Sequence, residues 1–293
     1  MPKTSDTISS AEIQKLLSDP KYRIQLHNLV HNETEKVYKI LGSWGAQING
    51  GIEEVAKKRI DEAEQATENL RKIFSYGCYF GLEDQNGLWS KSLNRLGTLP
   101  HSNGSVFLID LQTYPALLVL YAGGLGSLAG GKYYNLKAVL DSKLKTVTHG
   151  QQPLVLKANC TLLGQYGNQL LDLERKKTPL SDHLNELFKE NTPKEVVYKE
   201  DFDQLFDKWE ILLAMTVADF LKERPMGAWA PVGAFSWRDQ YGDDSSLKLV
   251  ESEIDNNDKE WDLLKAGLFG GSVARAKEAI GTVKEIAGKV AFF

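Results

Sequence analysis

Apolar residues recur at helical spacing along most of the chain. The clearest example follows Gly51, where acidic and basic residues fill one face and apolar or small residues fill the other. That second face is formed by Ile52, Val55, Ala56, Ile60, Ala63, Ala66, Thr67, Leu70, Ile73 and Phe74. Spacings of three and four residues are typical of an amphipathic helix that packs against a core. The pattern predicts a helix over residues 52–79, and a similar pattern predicts one over 202–220.

The segment 111–131 breaks this rule, because none of its residues carries a charge. Pro115 suits the first turn of a helix, and the leucines that follow spread around the whole helix axis. A helix that is apolar on every side is a buried one. We therefore predict a buried helix from Tyr114 and a second helix after Lys132, which together make a central hairpin over 114–140. The glycines predict that the first helix ends, or packs very closely, near Gly123.

These patterns predict a mainly α fold, a compact multi-helix bundle around the 114–140 hairpin with at most a small strand element. The short apolar run 106–109 favours a strand. The glycine-rich segment 42–51 interrupts the helical pattern and predicts a boundary. We expect an N-terminal helical segment, 1–48, and a helical domain, 49–293, with a candidate subdivision near 142–178.

The glycine-rich stretch 123–132 also supports a nucleotide-binding alternative. Gly126, Gly131 and Lys132 reproduce part of a P-loop, although Tyr133 stands where the magnesium-binding hydroxyl belongs. Gly124 and Gly126 also match a dinucleotide-binding pattern, which is informative only inside a β-α-β unit. In this alternative, Gly124, Gly126, Gly131 and Lys132 would bind the cofactor. The remaining sequence lacks alternating strands, so the leading expectation is a protein without a cofactor.

A membrane-attached protein is the second alternative, through residues 111–131. A membrane-spanning helix needs about 20 predominantly apolar residues, and this stretch has that length. Gly126 and Gly130 have the spacing of a helix–helix contact motif. Its second half is rich in glycine, however, and we expect a chain without a membrane span.

Composition narrows the class of protein. The chain has 293 residues, 35 basic and 39 acidic side chains and a net charge of −4, which argues against a general nucleic-acid binder. The two cysteines, Cys78 and Cys160, form no zinc pattern or disulfide framework, and the first residues lack the apolar core of a signal peptide. These features predict a cytoplasmic protein.

Three groups of residues are candidates for chemistry or binding. His27, His31 and Glu35 lie on one face of a predicted helix and could present metal ligands, but a solvated polar face is the favoured interpretation. The run 181–183 holds a serine, an aspartate and a histidine. Because sequence neighbours on a helix point apart, helix capping by Ser181 or Asp182 is favoured over a catalytic triad. In the aromatic loop 226–238, Trp229, Trp237 and Arg238 are candidates for contact with a partner.

Several short motifs also resemble a helical region of large bacterial proteins associated with antiviral defence. The matching segments are 77–81 with 88–89, 114–118 with 121–123, 179–184, 229–233 and 267–272. In those proteins the region follows a variable effector-type domain, which this sequence does not contain. The resemblance implies a sensor, scaffold or regulatory role and carries no active-site motif.

The leading hypothesis is therefore a non-enzymatic protein-interaction or regulatory module of a bacterial defence-type system. Its expected partner is an effector protein on a separate chain, or on a missing part of the same chain.

Overall fold

The computed structural model describes residues 7–45, 50–101, 103–146, 150–222, 228–238 and 245–291. The chain forms two compact units. Unit 1 consists of Met1–Gln152 with Asn191–Val196, and unit 2 consists of Pro153–Glu190 with Val197–Phe293. Helices dominate the described residues, so the predicted mainly α fold is confirmed. The domain boundaries expected from the sequence remain predictions.

Unit 1 contains the α-helices of the first half of the chain. They are α1 (Ser10–Ser18), α2 (Arg23–Ser43), α3 (Ile52–Ala66), α4 (Glu68–Phe80), α5 (Asn86–Leu96), α6 (Val106–Asp110), α7 (Tyr114–Ala129) and α8 (Tyr133–Leu140). Short 3-10 helices lie at Pro20–Tyr22, Glu83–Gln85 and Leu111–Thr113. Strands β1 (Lys143–Thr146) and β2 (Gly150–Pro153) pair with each other.

Helix α7 forms the centre of unit 1, as its apolar sequence predicts. Every residue from Tyr114 to Leu128 is buried, and Pro115 lies in the first turn. The helix does not end at Gly123 but continues to Ala129, because its glycines let it pack tightly on α4. A Cβ atom at Gly126 would lie 2.4 Å from the Ser75 carbonyl oxygen, so no larger residue fits there. The predicted hairpin is also confirmed, since α8 follows after a short turn and packs on α7.

Two local predictions in unit 1 are wrong. The run 106–109 forms helix α6 and not a strand, because a short apolar run has no period that distinguishes the two and this run continues into α7. The predicted helix 52–79 is two helices that meet at Thr67. The Thr67 hydroxyl donates to the Ala63 carbonyl at 2.8 Å, a local hydrogen bond that commonly accompanies a bend.

Unit 2 contains the helices that follow the small sheet. They are α9 (Gly167–Leu170), α10 (Pro179–Asn191), α11 (Phe202–Leu221), α12 (Phe235–Arg238), α13 (Ser246–Asn257), α14 (Asp262–Lys265) and α15 (Val273–Ala291). Short 3-10 helices lie at Leu154–Leu156, Gly164–Tyr166, Asp258–Glu260 and Leu268–Gly271. Helix α11 is the core element and packs on α13 and α15.

Helices α13 and α15 run antiparallel. Two ion pairs show the register, because Glu251 pairs with Lys284 at 2.7 Å while Asp255, one turn later, pairs with Lys277 at 2.8 Å. Because the residue number on α15 falls as the residue number on α13 rises, the two helices must run in opposite directions.

Candidate functional site

The glycine-rich stretch does not form a phosphate loop. Gly124 and Gly126 are buried inside α7, where backbone N–H groups donate to carbonyls one turn earlier. Gly131 adopts a left-handed conformation in the turn after α7, and the Lys132 N–H donates to the Ser127 carbonyl at 2.8 Å. A phosphate loop needs amides that point at the ligand from a turn between strand and helix. These four residues instead form a helix interior and a helix–helix turn.

The same stretch belongs to the helical run Val106–Ala129. Within the described residues, this 24-residue run is the one helix long and apolar enough to cross a membrane. Inside unit 1, 78% of its most apolar window is buried. A buried core helix passes such a length and composition test as readily as a membrane span does.

The predicted metal candidates lie on α2, where Glu35 is already engaged. Its two carboxylate oxygens accept hydrogen bonds from Arg95 at 2.6 and 3.0 Å, and the Arg95 guanidinium lies 3.5 Å from the centre of the Tyr38 ring. The hydrogen bond from Arg95 holds the pKa of Glu35 below its ordinary value. His31 is exposed and His27 is half-buried. Across the described ranges, no three His, Cys, Asp or Glu residues are grouped to hold a metal ion.

Ser181 takes part in a buried polar network in unit 2. Its hydroxyl donates to Glu210 Oε2 at 2.7 Å and accepts the Ala234 N–H at 2.8 Å, which differs from the predicted capping role. Both Ser181 and Glu210 are buried. Asp182 accepts a hydrogen bond from the Thr178 hydroxyl at 3.0 Å. Because a buried carboxylate is costly without partners, this network fixes α10, α11 and the segment before α12 together.

Two of the three predicted partner-contact residues are engaged within unit 2. The Trp237 indole donates to the Thr178 hydroxyl at 2.9 Å. Arg238 lies 3.4 Å from a carboxylate oxygen of Asp207, which is buried on α11. Trp229 leaves 38% of its surface exposed. Of the three candidates, Trp229 therefore keeps the largest surface for a partner.

Neither cysteine has the environment of a reactive thiol. Burial raises the pKa of Cys78 far above its ordinary value. Burial, with a smaller effect from the Glu210 carboxylate, also raises the pKa of Cys160. Since the thiolate is the nucleophile and the metal ligand, these thiols are poor candidates for either role.

An apolar cleft of about 420 Å³ lies in the described part of unit 1. It is lined by Gln14, Leu17 and Ser18 of α1, by Phe80 at the end of α4, and by Glu195. Ligand pockets fall in the range of roughly 300–1,000 Å³ and combine apolar walls with a few polar groups. Below, the "α1–α4 cleft" means these five residues.

Phe80 is the main apolar group of the α1–α4 cleft. It is 44% exposed, although its ring is held by two neighbours. It lies parallel to the Tyr76 ring, with centroids 6.2 Å apart, and meets the Tyr79 ring edge-on at 4.6 Å. Leu82, two residues later, is 58% exposed. A large apolar ring held in place at the surface is a typical anchor for a binding partner.

Glu195 supplies the charge of the cleft. Its Oε2 accepts a hydrogen bond from the buried Tyr76 hydroxyl at 2.9 Å. Its own backbone N–H and the Tyr76 hydroxyl hold the pKa of Glu195 below its ordinary value, and the ammonium groups of Lys72 and Lys194 act in the same direction. The carboxylate is therefore ionised at neutral pH.

No family model, curated protein or solved structure matches this chain.

The sequence patterns did not identify the α1–α4 cleft. Phe80 lies immediately after the predicted helix 52–79, where an aromatic residue next to an amphipathic helix suggests a core position. A usable signal is present, because Phe80 lies next to Gly81, at which the helix ends, and the last residue of a helix is often exposed. Glu195 has no such signal, since its position beside α4 depends on the path of the chain over 191–196.

Proposed function

We propose that this protein is a non-enzymatic protein-interaction or regulatory module that acts with an effector protein. The setting, a bacterial defence-type system in the cytoplasm, follows from the sequence resemblance and composition. The observation that carries the interaction role is the exposed Phe80 ring in the α1–α4 cleft. Trp229 of unit 2 is a second candidate contact.

The physical support comes from the cost of exposing such a ring. Burying a large apolar side chain gains roughly 1.5–3 kcal/mol, and aromatic anchors supply much of the affinity of protein interfaces. Here the anchor is surrounded by Gln14, Ser18 and Glu195, which resemble the polar rim of an interface. The polar rim gives specificity, while the ring gives affinity.

The test starts with co-purification of the full chain from its native host and identification of the bound protein. That partner is then purified, and its affinity is measured for the wild type and two variants. Phe80→Ala should weaken binding by about 10- to 30-fold, as expected for an interface anchor. Val106→Ala is the matched control, because Val106 is 72% exposed and does not line the cleft. Equal affinities of both variants and wild type would refute the proposed role of this surface.

A further inference from the structure

The walls of the α1–α4 cleft differ in charge from an ordinary apolar groove. Two helices, α1 and α4, end at this place, and the carbonyl end of a helix carries partial negative charge. Helix α4 has no basic residue in its last turn to offset that charge, whereas Lys15 in the last turn of α1 lies over the Tyr22 ring and does not line the cleft. The ionised Glu195 carboxylate adds a full negative charge to the same wall.

The Tyr76 hydroxyl fixes the position of that charge. Tyr76 lies on α4 one turn before Phe80, and its hydrogen bond to Glu195 places the carboxylate beside the aromatic wall. Of the two nearby lysines, Lys72 donates to the Ile8 carbonyl at 3.0 Å, and neither Lys72 nor Lys194 lines the cleft. The cleft therefore combines an apolar surface with one oriented anion.

We propose that the α1–α4 cleft binds a peptide segment of a partner protein that places an apolar side chain against Phe80 and Leu17 and a lysine or arginine against Glu195. This inference rests on the proposed interaction function and specifies the chemistry of the partner. An acidic or purely apolar segment fits less well, because the first is repelled by the Glu195 charge and the second brings no cation to that carboxylate.

The experiment is a selection of random 12-residue peptides on the full chain, run in parallel on wild type and Glu195→Arg. Wild type should select peptides with a basic residue close to an apolar one, and Glu195→Arg should select acidic residues at that place. Glu83→Arg is the control, because it makes the same change in charge at an exposed position outside the cleft. It should select the same peptides as wild type.

Affinities of the best synthetic peptide then test each contact. Glu195→Gln should weaken binding by about 2- to 5-fold, the range of a partly exposed ion pair, and the loss should shrink in high salt. Phe80→Ala should weaken it by about 10-fold or more.

Leu17→Ala, on the opposite wall, checks the site independently of any effect of Phe80→Ala on folding. Tyr76→Phe should reproduce part of the Glu195→Gln effect, which a purely structural hydroxyl would not do.

The outcomes separate the two proposals. Peptides that depend on Phe80 but show no preference for basic residues would overturn this inference and leave the interaction role standing. If substitutions of Phe80, Leu17 and Glu195 all leave the affinity for the peptide unchanged, the peptide binds elsewhere and the inference is overturned as well. If no peptide binds, while a host partner still binds in a Phe80-dependent way, the inference fails and the proposed function survives.

Discussion

The two units fix their central helices by opposite means. In unit 1, α7 meets α4 through glycines, so that backbone lies directly against backbone at Gly126 and Ser75. In unit 2, α11 is tied to its neighbours by carboxylates, with Glu210 accepting a hydrogen bond from Ser181 and Asp207 pairing with Arg238. The first contact depends on shape and tolerates no added atoms, whereas the second depends on complete pairing of polar groups.

The largest predicted effect is on the glycine contact. In Gly126→Ala the new Cβ would lie 2.4 Å from a backbone oxygen, and backbone cannot move aside as a side chain can. Overpacking of this kind should lower the free energy of unfolding by about 3 kcal/mol, more than the gain in helix propensity returns. Urea unfolding followed by circular dichroism measures the loss. Stability equal to wild type would show that α4 and α7 are not in close contact.

The next effect tests the polar network of unit 2. Ser181→Ala removes one partner from the buried Glu210 carboxylate and leaves the Ala234 N–H without its acceptor. We expect a loss of about 2 kcal/mol, because unpaired buried polar groups cost more than a typical hydrogen bond gains. The measurement is again urea unfolding. Thr282→Ala is the control, since its hydroxyl makes an exposed hydrogen bond within α15, and its effect should stay within about 0.5 kcal/mol.

A smaller effect is expected for the ion pair between Glu35 and Arg95, which is partly exposed. The hydrogen bond from Arg95 lowers the pKa of Glu35 in the folded state, so the pair stabilises the fold above the unfolded pKa of about 4.3. That contribution is lost as the pH falls through the lower, folded value. Glu35→Gln should therefore cost about 0.5 kcal/mol at pH 7, after solvent screening, and almost nothing near pH 2.

Unfolding of wild type and Glu35→Gln across this pH range measures the difference. Glu83→Gln is the control, because it removes the same charge at an exposed position. A difference that grows towards low pH would contradict the assigned direction of the pKa shift.

The last effect should have the opposite sign. Gly281 lies on the exposed face of α15, and a Cβ there would meet no atom within 4 Å. Gly281→Ala should raise the free energy of unfolding by about 0.5–1 kcal/mol, because alanine is the better helix former. Thermal unfolding of Gly281→Ala and Gly126→Ala, each against wild type, compares the same substitution at an exposed and at a buried position. If both substitutions lower the stability, the difference in packing between the two sites does not decide the effect of the added methyl group.

The sequence predicts the contact in unit 1 better than the network in unit 2. An uncharged run with Pro115 at its start predicts a buried helix, and glycines inside it predict close packing, since both signals are local. The Ser181–Glu210 bond joins residues 29 positions apart, and nothing in either local pattern indicates it. The prediction of a strand at 106–109 is wrong for a related reason, because a short run takes its structure from the helix that follows it.

The candidate site was the hardest part to predict. Phe80 reads as a core residue because apolar periodicity does not reveal that a helix has reached the surface at its last turn. Glu195 depends on a segment that returns to unit 1 only after α10. Trp237 and Arg238 are predicted to contact a partner, but a hydrogen bond and an ion pair within unit 2 engage them.

The return of residues 191–196 to unit 1 also sets an order of events during synthesis. The hydrogen bond between Tyr76 and Glu195 closes a loop of 119 residues, so the anionic wall cannot form while only the first half of the chain has left the ribosome. Long loops close slowly and late. A nascent chain can thus bury α7 early, yet it completes the α1–α4 cleft only after the whole of α10 and Glu195 have been translated.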